Sequence, residues 1–169
     1  MDRNSKRLQR VVDFLETETT LSLATAAEDG SPYVAPLFYL PREGARLFWF
    51  SSSASQHSRN LRENPRVAGT VYGRTGDWKK IRGVQMRGSA SPVSDPALRR
   101  AIAKEYTQRF HLGTLFEAAI SKSTLYCFQP EWVRYIDNSR RFGYQFEISL
   151  AFRELPPIPN CDQPLNENS

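Results

Sequence analysis

Apolar and polar side chains alternate along residues 21–26, with Leu21, Leu23 and Thr25 on one face and Ser22, Ala24 and Ala26 on the other. A period of two predicts a half-buried strand. Glu28-Asp29-Gly30 supplies a turn, and residues 33–40 return as the partner strand. Arg42-Glu43-Gly44 turns the chain again into residues 46–50, so three strands make a meander. Residues 66–72 read as a fourth strand. Residues 78–93 read as one long strand, bent at Gly83 and Gly88 as barrel corners require. Two final strands are expected over 123–129 and 131–137.

Helical spacing interrupts these strands. Leu8, Val11, Val12 and Leu15 follow the i, i+3, i+4, i+7 rule over residues 5–16, with Ser5 as the expected cap. Ser94-Asp95-Pro96 opens a second helix, whose apolar face carries Leu98, Ile102 and Tyr106 and whose stop is Gly113. Residues 114–121 add a helical turn. Six or more short strands with interspersed helices predict a mainly β chain of the α+β class, folded as a closed or partly closed barrel. One domain is expected over 1–150. The stretch 151–169 is rich in proline and poor in large apolar groups, so it is expected to be disordered.

Composition narrows the classes. With 169 residues, 40% hydrophobic and 24% charged, the chain can bury a core without disulfides or metals. No run approaches the roughly 20 apolar residues that span a bilayer, and the first residues, MDRNSKRLQRVVDF, lack an apolar signal core. The expected compartment is the cytoplasm, with no membrane partner. Cys127 and Cys161 make no disulfide framework and are expected to be reduced. The net charge of +5 is spread along the chain, without a basic-aromatic motif, so no nucleic-acid face is expected. Arginine outnumbers lysine, which suits bidentate contacts to anions.

Most catalytic signatures are absent from the sequence: GxSxG, HExxH, CxxC, Walker and GxGxxG motifs do not occur. Two histidines, His57 and His111, cannot build a multi-histidine metal site, and no metal is expected. If the chain is an enzyme, a cofactor carries the hard step. The informative stretch is LFWFSSSASQHSRNLRENPRVAGTV (47–71). A strand ends in three serines, and a helix opens at about Ser55 and stops at Asn64-Pro65. Hydroxyls beside a helix N-terminus make a cradle for a phosphate, because unpaired amides and the positive end of the dipole meet there.

Together with EDGSPYVAPLFYL (28–40) and IRGVQMRGSA (81–90), this stretch resembles the pyridoxamine 5′-phosphate oxidase-like FMN-binding split-barrel superfamily over about residues 5–148. Within it the chain is similar to a small bacterial branch that combines VAGTV, IRGVQ-x-x-G, an Arg-Phe pair in the middle helix and a late DN-x-x-x-x-FG. The resemblance implies a split β-barrel, a homodimer and FMN in a groove between two barrels. It implies that the phosphate lies against Phe50, Ser51, Ser52, Ser55, Gln56 and His57. The backbone of Ala35, Pro36, Leu37 and Phe38 is then beside the isoalloxazine ring, with Gly83 and Gln85 toward the flavin or its ribityl chain. Where the oxidases place an arginine on the second strand and an Arg-Lys pair at the helix start, this chain has Ala35, Gln56 and His57; Arg59 is near enough to supply charge.

The implied activity is an FMN-dependent oxidoreductase acting on a small molecule. A flavin-binding or storage protein without catalysis, a cofactor-free interaction module and a heme-binding relative are the alternatives. The segment holding Tyr135, Asn138, Arg140, Arg141, Phe142 and Tyr144 either covers the partner's flavin or closes the barrel.

Overall fold

The computed structural model describes residues 2–150. Helix α1 (Arg3–Thr17) leads into strands β1 (Thr20–Ala26), β2 (Pro32–Phe38), β3 (Leu40–Arg42) and β4 (Arg46–Ser51). Helix α2 (Gln56–Glu63) precedes β5 (Arg66–Tyr72) and β6 (Arg82–Pro92). Helices α3 (Pro96–Phe110) and α4 (Thr114–Lys122) are followed by β7 (Thr124–Asp137) and β8 (Gln145–Ser149). All strand pairs are antiparallel, in the order β2-β1-β5-β6-β7-β4-β3, with β8 added to β7. This is the expected α+β split barrel.

Closure comes from one length of chain. β2 and β3 stand at opposite ends of the sheet path, yet only Tyr39 separates them in sequence. The expected single strand 33–40 therefore breaks there: its first part pairs with β1 and its continuation with β4. Tyr39 is fully buried, its amide donates to Thr19 O at 3.2 Å and its hydroxyl to Leu15 O at 2.7 Å. Both pairings of the expected meander are present, on the two sides of that break.

Alternation fills the barrel. Leu21 and Leu23, Val67 and Val71, Val84 and Met86 point inward with Trp49 and Phe128, and α1 packs Val11, Phe14 and Leu15 against this cluster. A second cluster forms outside the barrel. There Phe48, Leu125 and Cys127 on β4 and β7 meet Ile102 and Tyr106 of α3 and Ile120 of α4.

Several boundaries differ from expectation. α1 is capped by Asp2, whose Oδ1 accepts from Ser5 N at 2.8 Å, so the helix begins before Ser5. α3 ends at Phe110 because His111 adopts the left-handed conformation, and Gly113 instead precedes the first turn of α4. Residues 78–80 form a 3₁₀ turn capped by Asp77, and the strand starts only at Arg82. The two expected C-terminal strands are one, β7, because Pro130 sits opposite Gly88 at a register shift where the ladder is already irregular. β8 was not anticipated, though Phe146 and Ile148 are buried between exposed Gln145, Glu147 and Ser149. Cys127 is buried. Cys161 and the expected disordered tail lie outside the described residues. No helix among the described residues is long and apolar enough to cross a membrane.

Gly88 bends β6 as expected, whereas Gly83 pairs with Ile136 without a register shift. A Cβ on Gly88 would stand 2.1 Å from Gln129 O, a backbone atom that cannot move aside alone. Gly88→Ala is expected to destabilise the fold by about 2–3 kcal/mol, in the range of overpacked cores. Gly76→Ala, with nothing within 4 Å of the added carbon, is expected to stay near wild type. Urea denaturation of both variants checks this, and equal midpoints would contradict the tight β6–β7 approach.

Candidate functional site

The hydroxyl-rich corner forms where β4 ends and α2 begins. Ser55 is the N-cap of α2, and its Oγ accepts from Ser58 N at 3.3 Å. His57 Nε2 lies 2.7 Å from Ser51 Oγ and 3.0 Å from Ser55 Oγ. The two serine oxygens are 3.3 Å apart, and Ser55 Oγ also donates to Ser58 Oγ at 2.8 Å. Ser51, Ser55 and His57 thus come together as expected, but their polar atoms are engaged with one another. His57 is buried, and that burial pulls its pKa below the ordinary 6.5, so the ring is neutral at pH 7.

Around this cluster, Ser52, Ser53 and Ala54 remain exposed. Two guanidiniums fold back onto their backbone. Arg59 donates to Ala54 O and, at 2.6 Å, to Gln56 Oε1, while Arg62 donates to Ser53 O at 3.0 Å. No acid lies in the first turn of α2. Positive charge thus lies beside positions 56 and 57, on Arg59 one turn and Arg62 nearly two turns into α2. Gln56 also donates to Asn60 Oδ1 at 2.8 Å.

The remaining expected residues divide by face. Phe50 packs its ring edge-on to Tyr106 at 5.4 Å, beneath the Arg99 guanidinium, and so brings only backbone to the corner. Ala35 is buried and Leu37 packs on the core, whereas Pro36 and Phe38 face outward. Phe38 O accepts from Tyr106 Oη at 3.0 Å. Asn60 of α2 donates to Thr25 Oγ1 at 3.0 Å, tying the corner to β1.

β1 also floors a trough that the sequence did not disclose. On the outer face of the barrel, away from α3 and α4, register places Ser22, Thr70, Gln85 and Arg134 in one row. Val34, Ala24, Ala68, Arg87 and Trp132 make the next. Together they enclose a concavity of about 530 Å³. Gln85 thus reaches this face, as does Pro36, which pairs with Ser22 at the end of the first row. Arg134 donates to Glu147 Oε1 through Nε at 2.9 Å and Nη2 at 2.6 Å, and Trp132 Nε1 donates to Glu147 Oε2 at 3.2 Å. Hydrogen bonds from Arg134 hold the Glu147 carboxyl below its usual pKa. The signal was present as polar positions alternating within each strand; which strands lie side by side was not readable.

The late DN-x-x-x-x-FG segment is a built turn. Asp137 is buried and accepts from Ser139 Oγ at 2.5 Å and Tyr135 Oη at 3.2 Å, with Arg140 and Arg82 at 3.5 and 3.8 Å. Asn138 bonds backbone on both sides, donating from Nδ2 to Trp78 O at 3.0 Å and accepting from Gly143 N at 3.2 Å. Tyr135 stacks on Phe146, and Tyr144 Oη accepts from Arg10. These residues close the barrel end. Phe142 instead stands 74% exposed, edge-on to Trp78.

Residues 8–137 match the family described as pyridoxamine 5′-phosphate oxidase. The UPF0306 protein of Pasteurella multocida is 30% identical over 132 residues, spanning 78% of this chain and 84% of that protein. The conserved hypothetical protein Rv2991 from Mycobacterium tuberculosis superposes with a TM-score of 0.70 at 20% identity, covering 83% of this chain and 87% of its own. A heme binding protein from Mycobacterium smegmatis superposes with a TM-score of 0.68 at 16% identity, covering 88% of this chain and 59% of its own. Both structures speak for the fold.

The buried corner carries a pH dependence. The folded pKa of His57 lies below its unfolded value, so the unfolded chain takes the proton more readily. Its stabilising effect is fully present above about pH 6.5 and is lost as pH falls from there through the lower folded pKa. The thermal midpoint is expected to drop between about pH 7 and pH 5, and His57→Gln is expected to flatten that limb. An identical drop in the variant would show that His57 titrates freely.

Proposed function

The chain belongs to the pyridoxamine 5′-phosphate oxidase family, and from that premise we propose that it is an FMN-binding flavoprotein. Two copies meet through the bare outer face and hold the cofactor between them in the cytoplasm, and a small molecule exchanges electrons with it. The observation that carries this reading is the corner after β4. An exposed serine loop precedes a helix N-terminus that has no acid in its first turn and two arginines folded over it.

These residues fit a phosphate. Residues 52–54 offer exposed backbone and hydroxyls, Arg59 and Arg62 bring charge, and the α2 amides point at the same place. Ser51, Ser55 and His57 then exchange their mutual hydrogen bonds for phosphate oxygens. The anion raises the His57 pKa, so FMN affinity falls as pH rises between the free and bound values. The backbone of Ala35, Pro36, Leu37 and Phe38 forms one side of the ring site. Gly83 permits close approach there, and the Gln85 amide faces the same side. When bound, FMN supplies the electron transfer, and the protein supplies orientation and exclusion of water.

One structural neighbour is a heme binding protein, which makes heme the alternative cofactor. An axial ligand is hard to find here: His57 is buried between two serines, and His111 is the exposed cap of α3. FMN is therefore the better fit.

Freshly purified protein is expected to show the absorption bands of oxidised flavin, or to acquire them on titration with FMN. Arg59→Ala is expected to weaken FMN binding by about tenfold, the loss of one charge-assisted contact. A colourless protein that takes up no FMN would leave the cofactor-free module. Stoichiometric FMN without turnover by nicotinamide donors would leave the storage reading.

A further inference from the structure

The trough on the bare outer face has features of a ligand site distinct from the phosphate corner. Its floor is made of Ser22, Ala24, Ala68 and Thr70, which are short and therefore lie nearly level. Val34 and Arg87 stand on strands three spacings apart, about 14 Å by ordinary sheet geometry. Beyond Arg87 the wall is Trp132. A level, mostly apolar floor between higher walls favours a flat ring system over a flexible chain.

The charge of the far wall is specific. Arg134 and Trp132 hydrogen-bond both oxygens of Glu147, and Arg87 acts on that carboxylate through space without a hydrogen bond. The Arg87 guanidinium lies 4.3 Å from the Trp132 ring centroid, which restricts the side chain to one region, and it makes no hydrogen bond within the described residues. Arg87, Arg134 and Glu147 together leave one uncompensated positive charge. A preoriented guanidinium with free donors matches a planar monoanion, and a carboxylate meets its fork side-on.

We propose that this trough binds a planar aromatic carboxylate, with the ring over Ala24 and Ala68 and the carboxylate on Arg87. That such a molecule is the electron-exchange partner of a bound flavin rests on the function proposed above, through Gln85, which serves both; the binding itself does not. A second copy seated on the exposed rim at Phe38 and Tyr72 would roof the trough rather than occupy it.

The test uses the full chain without added FMN, titrated calorimetrically with 2-naphthoate and with the uncharged 2-naphthalenemethanol. Wild type is expected to prefer the carboxylate by about tenfold, the scale of a charge-assisted hydrogen bond. Arg87→Gln is expected to abolish that preference while its FMN uptake matches wild type. Ala68→Leu, which raises the floor, is expected to weaken both probes. Equal binding of the two probes, a preference that survives Arg87→Gln, or no saturable binding because a second copy fills the trough would each overturn the assignment. Absence of FMN uptake by wild type would count against the flavin reading alone, because the probe titration is read without FMN.

Discussion

The break at Tyr39 governs the rest of the architecture. A sheet whose two ends are consecutive in the chain must curl until they meet, and the linking residue must turn inward to allow it. Tyr39 does so with its ring in the core and its hydroxyl on the last turn of α1. Burial pushes that hydroxyl's pKa well above its ordinary value, so it stays a neutral donor. Once the sheet closes, each strand has one inner and one outer row, and the inner rows are mostly apolar, with the buried polar groups Thr25 and Asp137 each held by hydrogen bonds. On the outer rows, α3 and α4 cover the part built from β3, β4 and the first half of β7 and reach Phe38 at the end of β2, and the remainder stays bare.

Much of this was legible along the chain. The period-two alternation at Leu21, Leu23 and Thr25 and the cap at Ser55 are local signals, and local physics sets them. The hydroxyl corner was legible for the same reason: seven consecutive residues, 51–57, build most of it. What failed was non-local. Pro130 read as a strand end because a ladder usually needs every amide; only its pairing with Gly88 shows why it is tolerated. β8 is five residues long and gains its identity by docking on β7. The outer trough unites Val34, Ala24, Ala68, Arg87 and Trp132, drawn from five strands, and no spacing in sequence relates them.

The corner and the trough also differ in how far their polar groups are satisfied. In the corner, two hydroxyls and an imidazole saturate each other, and a ligand must exchange existing hydrogen bonds. At the trough, Arg87 keeps its donors free while an aromatic face holds it in place. β1 links the two, since Thr25 accepts from Asn60 of α2 and Ser22 and Ala24 lie in the trough floor. A cofactor reaching from one to the other would have its anionic end at the reorganising site and its ring end near the preformed one.

The claim that joins these parts is that the bare outer face belongs to a pair of chains. Val34 and Tyr72 are each more than half exposed there, and Phe38 stays more than half exposed although its ring packs on Phe110 of α3. Sedimentation equilibrium of the purified chain across a wide concentration range reads this directly. The expected particle contains two chains at all but the lowest concentrations; a single chain at every concentration would contradict the account.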